Sequence, residues 1–128
     1  MPAPIISGLN HSEIAALLEA ASKAGARHAA FQVLRLPFAV KPVFLEWLER
    51  VEPLKRDRVI GLIQSVRGGK LNSSTFGERQ RGTGELAKQI EQTFKLFARK
   101  HGLDRSLPKL TTEHFIQPTL RSGQLRLF

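Results

Sequence analysis

The sequence predicts an α/β protein, with one βαβ unit over residues 1–37 and a mostly helical extension over 38–128. Three observations predict it. Two short apolar runs, one near residues 4–10 and one at 28–36, flank a stretch with helical periodicity. Beyond Pro37 the apolar residues recur at helical spacing. Glycine and proline stand where these segments should end.

Pro4-Ile5-Ile6-Ser7-Gly8-Leu9-Asn10 reads as a short strand closing in a glycine turn. Asn10 with Glu13 resembles a capping box, Asn replacing the usual Ser or Thr. A helix then runs to about Ala24, with Ile14, Leu17, Leu18 and Ala21 on its apolar face, and Gly25 is a suitable stop. Residues 28–36 form the second strand, carrying Phe31, Val33 and Leu34 and ending at Pro37. Strand, helix and strand in one short span predict parallel strands with a right-handed crossover.

In the extension, Pro42 suits a helix N1 position. Val43, Phe44, Trp47, Leu48 and Val51 make an apolar stripe. Pro53 opens another helix, with Val59, Leu62, Ile63 and Val66 on one face. Leu86, Ile90, Phe94 and Phe97 mark a long helix to about Lys100, which Gly102 ends. Only two strands are readable. A parallel pair alone leaves uncovered faces and open edges, so the α/β part is expected to be incomplete and to associate with another chain or a second copy.

The chain has 128 residues and a net charge of +9. Residues 64–105 hold nine Lys or Arg against four acids, a net of +5, whereas residues 1–46 hold four against three. That balance predicts attraction to a polyanion. Cysteine is absent, which excludes disulfides, thiolate nucleophiles and cysteine-ligated metals. No apolar run reaches the ~18 residues of a membrane span. Residues 1–6 lack the flanks of a signal peptide, and a cytoplasmic protein is expected. The four histidines, His11, His28, His101 and His114, show no ligand spacing. Ser73, Ser74 and Thr75 have no adjacent His–Asp arrangement for nucleophilic catalysis. No metal or catalytic residue is therefore assigned.

The loop 67–84 holds five glycines, four cations and one acid in 18 residues. Glycine allows close backbone approach and arginine offers a planar fork of donors. A loop of this length is either a polyanion-handling element or a mobile linker. In the first case Arg67, Lys70, Arg79 and Arg81 are its phosphate contacts.

The strand motif 4–10, Leu36-Pro37, Phe44-x-x-Trp47-Leu48, Arg67-Gly68-Gly69-Lys70, Phe76-Gly77-x-Arg79-x-Arg81-Gly82-x-Gly84 and the tail Gly123-Gln124-Leu125-x-Leu127-Phe128 together resemble the C-terminal part of radical SAM proteins of the spore-photolyase-like group, often labelled DNA repair photolyases. The resemblance implies a partial (β/α) barrel, of which residues 1–37 would supply one βαβ segment. It also implies a four-iron, four-sulfur cluster and S-adenosylmethionine. The family binds its cluster through a Cys-x3-Cys-x-x-Cys loop near the N-terminal end. With no cysteine, this chain is expected to bind no cluster and to be inactive by itself, its missing barrel half coming from elsewhere. The family's fifth-strand motif, Gly-x-Ile-x-Gly-x-x-Glu, corresponds to Pro4, Ile6, Gly8 and His11; only Ile6 and Gly8 match. The resemblance thus implies Ile6, Gly8 and Arg35 on the S-adenosylmethionine side, and nucleic acid as the substrate class.

The tail, with Gln124, Leu125, Leu127 and Phe128, also resembles the sliding-clamp-binding peptides of bacterial replication and repair proteins. Leu127 and Phe128 would fill an apolar pocket, either on a clamp or on the chain's own core. Two functions follow: the C-terminal part of a radical SAM enzyme acting on nucleic acid, or a non-catalytic basic adaptor for nucleic acid or a clamp.

Overall fold

The computed structural model describes residues 1–116. The helices are α1 (Ile14–Lys23), α2 (Val40–Val51), α3 (Arg56–Ser65), the single-turn α4 (Glu78–Arg81) and α5 (Gly84–Lys100). Short 3-10 turns, His11–Glu13 and Pro53–Lys55, lead into α1 and α3.

The α/β expectation is overturned. The described residues form no sheet and no barrel segment; the fold is helical. The two apolar runs meet at one isolated parallel bridge, Ile5 with Val33. Ile5 N–H donates to the Gln32 carbonyl at 2.8 Å and Leu34 N–H to the Ile5 carbonyl at 2.9 Å. The ladder stops there for local reasons. After Ser7 the chain turns at Gly8 (φ 89°), and the Ile6 carbonyl accepts from the Leu9 and Asn10 amides. On the other run the next group facing residues 5–7, the Leu34 carbonyl, accepts from the Arg67 guanidinium at 2.6 Å, while Val33 N–H faces away and donates to the Gln80 carbonyl at 2.8 Å. A buried apolar run satisfies the periodicity of a strand whether or not a ladder forms, and two strands alone are marginal.

The helix ends follow from sequence. At α1 the Gly25 amide bonds the Ser22 carbonyl and the Ala26 amide the Ala21 carbonyl, with Gly25 at φ 89°. Gly102 closes α5 in the same way, the Leu103 amide reaching the Ala98 carbonyl at 2.8 Å. Both are Schellman closures needing a left-handed residue just past the helix. Two details differ from expectation. Helix α2 starts at Val40, so Pro42 is its third residue rather than its first, still within the turn where a missing N–H costs nothing. Asn10 makes no side-chain cap to the helix that follows.

The core joins residues 1–37 to the extension. Ile14 and Leu18 of α1 pack with Ile5 against Ile90, Phe94, Ala98 and Leu103. Each fully buried side chain of that size contributes about 1.5–3 kcal/mol. A second cluster sets Leu34 and Leu36 against Leu48, Val59 and Ile63 of α2 and α3. Helix α2 buries only Leu48; Val40, Val43, Trp47 and Val51 of its apolar residues stay exposed. No helix among the described residues is long and apolar enough to cross a membrane.

Candidate nucleic-acid interface

The segment from Val66 to Gly84 is an ordered loop braced at both ends. Thr83 N–H donates to the Val66 carbonyl at 3.0 Å. A Cβ at Gly82 would lie 2.9 Å from the Val66 carbonyl oxygen, and one at Gly84 3.0 Å from that of Ser65. Both glycines have positive φ, 82° and 83°. Only glycine fits such a conformation and so close a backbone approach.

Arg67 is the internal brace. Its side chain is buried, with 4% of the residue exposed. Nη1 donates to the carbonyls of Glu78 and Arg79 at 3.0 and 2.9 Å, and Nη2 to those of Val33 and Leu34 at 3.2 and 2.6 Å. One guanidinium therefore ties the short helix α4 to the apolar run at Val33. The α4 carbonyls carry the negative end of the peptide dipoles, which favours a cation there. Burial first, and the nearby charge of Arg35 second, lower the Arg67 pKa from the ordinary arginine value. Arg67, expected among the phosphate contacts, has its terminal nitrogens committed to main-chain oxygens.

The remaining cations of the loop lie at the surface. Lys70 is exposed. Arg79 is partly exposed and stacks its guanidinium over Phe76, 5.3 Å from the ring centroid, a cation–π contact that orders it without consuming its charge. Arg81 is exposed and pairs with Glu91 at 3.3 Å, and Glu91 also meets Lys95 at 2.8 Å. The Lys95 hydrogen bond, opposed by partial burial and aided by the charges of Lys95 and Arg81, holds the Glu91 carboxyl below its usual range. Exposed Phe76 beside Arg79 is a pairing that the sequence did not reveal; the spacing of three residues was its only signal.

Two of the residues implied for S-adenosylmethionine, Ile6 and Gly8, are held by core packing. Ile6 packs on the cluster of Leu34, Leu48 and Val59. At Gly8 a Cβ would lie 3.0 Å from Leu62 Cδ1 and 3.2 Å from Val59 Cγ2, so this glycine is required by packing on α3. Arg35 is partly exposed, with a buried Nε that has no partner among the described residues, and Ser7 Oγ is likewise buried and unpaired among them. Ile6 and Gly8 are thus accounted for by the chain's own packing, whereas Arg35 retains binding capacity. The cluster itself does not fit: the chain offers no thiolate, and no group of three His, Asp or Glu among the described residues is placed to hold a metal ion. Gln124, Leu125, Leu127 and Phe128 lie outside the described residues.

Comparison with family models, with curated proteins and with solved structures finds no match.

Proposed function

We propose that this chain corresponds to the C-terminal part of a radical SAM, DNA-repair-photolyase-like protein, that it contacts nucleic acid, and that it is not catalytic by itself. One observation carries the reading. The Arg67–Gly84 block, which with the tail is a specific part of the sequence resemblance, is built as a single braced loop that leaves Lys70 and Arg81 exposed and Arg79 partly exposed. Preordered cations bind phosphate without the entropic cost of ordering a linker. The lack of cysteine leaves any cluster chemistry to another polypeptide segment. The buried, unpaired Ser7 Oγ and Arg35 Nε support a surface that a ligand or another segment completes.

The test is fluorescence anisotropy with labelled single-stranded DNA, duplex DNA and RNA at two salt concentrations. The triple variant Lys70→Ala, Arg79→Ala, Arg81→Ala leaves the Arg67 brace intact. It is expected to weaken binding and to reduce the salt slope by about 2–3, from roughly 0.7–0.9 for each phosphate that the variant leaves unneutralised. Equal binding and equal slope for wild type and variant would remove the loop from the interface.

A further inference from the structure

Helix α2 carries a second surface, independent of the nucleic-acid reading. Val40, Val43, Trp47 and Val51 recur at spacings of three and four residues, so they form one strip along the helix. All four are exposed, Val43 at 66% and Trp47 at 36%. The first three line a groove of about 610 Å³ together with Ala39, Phe44, Glu46 and Arg50. One flank of the strip, Phe44 and Leu48, packs on the chain's own core. The other flank carries Glu46 and Arg50. Both are exposed, and neither makes an ion pair among the described residues. Glu49, by contrast, already meets Arg56 at 4.0 Å.

Charge selects what covers this strip. Helix α2 holds Lys41 and Arg50 against Glu46 and Glu49, a net of zero on a chain of net charge +9. Two copies can meet here without the repulsion of the whole molecule, and the helix has no net field to draw a polyanion. Residues 117–128 hold Arg121 and Arg126 and no acidic side chain, so as an occupant they offer Arg50 no acidic partner. A second copy supplies both charges. In an antiparallel two-fold pair each flank faces the same flank of the other helix with its direction reversed. With Trp47 on the axis, Val43 meets Val51 of the second copy. Glu46 then lies within about 3 Å, measured along the helix, of Arg50 of the second copy, and the symmetry repeats the pair. A parallel pair would set this flank against Phe44 and Leu48, which the core already occupies.

We propose that α2 is a homodimer interface, in which two copies pair antiparallel through Val40, Val43, Trp47 and Val51 and exchange two Glu46–Arg50 ion pairs. One helix from each copy buries less than a standard interface of about 1,600 Å², so the dimer is weak and reversible, and the ion pairs set its register more than its strength.

Sedimentation of the full chain tests this from about 1 to about 200 µM, the range suited to a small interface. Wild type is expected to pass from monomer to dimer. Emission of Trp47, the sole tryptophan, is expected to shift to the blue as it does so. Glu46→Arg sets arginine against arginine at both pairs, and Arg50→Glu sets glutamate against glutamate. Each variant alone is expected to dimerise at least about tenfold more weakly than wild type. Both positions are exposed, and circular dichroism checks that each variant keeps its helices. An equimolar mixture of the two variants regains both opposite-charge pairs and is expected to form a heterodimer of wild-type strength. A wild type that stays monomeric through that range, with Trp47 emission independent of concentration, would overturn the proposal, because the strip is then open or covered within the chain. Dimerisation that the single variants leave unchanged would place the interface elsewhere. A mixture as weak as its components would exclude the antiparallel register. Either result also overturns it.

Discussion

Removing the Arg67 guanidinium while keeping its aliphatic stem, as in Arg67→Met, isolates the brace. The substitution deletes four hydrogen bonds to carbonyls. Two of those carbonyls belong to Val33 and Leu34, which are buried, and each orphaned acceptor costs about 1–3 kcal/mol. The other two belong to Glu78 and Arg79, which lie near the surface and can turn to water. The loss is therefore about 2–6 kcal/mol before any offset. Relief of burying a charge beside Arg35 offsets part of it, leaving a net destabilisation of about 3 kcal/mol. At this chain length that corresponds to a fall in Tm of about 10 °C. Urea denaturation gives the free energy, and amide exchange locates the change. Faster exchange is expected at the Val33 and Gly82 amides, which bond to Gln80 and Glu78 in the segment Arg67 holds. Arg67→Lys is expected to recover less than half, because an ammonium cannot reproduce the planar fork. A loss under ~0.5 kcal/mol with unchanged exchange at Val33 and Gly82 would refute the brace.

Gly82→Ala is expected to cost about 1–3 kcal/mol, since it combines positive φ with a Cβ 2.9 Å from a carbonyl oxygen; thermal denaturation checks it, with Gly68→Ala, which has open space at its Cβ, as the milder comparison. Glu91 has a lowered folded pKa, so its contribution is present above the unfolded value of about 4.3 and lost as pH falls through the folded value. Glu91→Gln is expected to lower Tm slightly at neutral pH and to flatten the decline between about pH 5 and 3, read from a Tm-against-pH series.

Much of the helical part was legible in the sequence because its signals are local. Val59 and Ile63 sit one helical turn apart and are buried together, and Ile90 and Phe94 repeat that pattern on α5. Gly25 and Gly102 stop their helices through a backbone conformation that glycine reaches without strain. The absence of cysteine and the excess of cations between residues 64 and 105 needed no structure at all. What the sequence could not decide was how far each pairing extends. Residues 4–10 and 28–36 carry apolar runs that suit strands, yet one parallel bridge joins them, because the turn at Gly8 and the Arg67 guanidinium take the next main-chain groups. Charge raised the same difficulty. Arg67 and Arg79 are alike in a sequence, but one is buried among four carbonyls and the other lies over an exposed ring. Asn10 resembled the cap of the helix after it and instead bonds the main chain before it, at the Ile6 N–H and the Pro4 carbonyl. Hydrogen-bond partners and burial depend on groups brought together from distant positions, and only the tertiary structure assigns them.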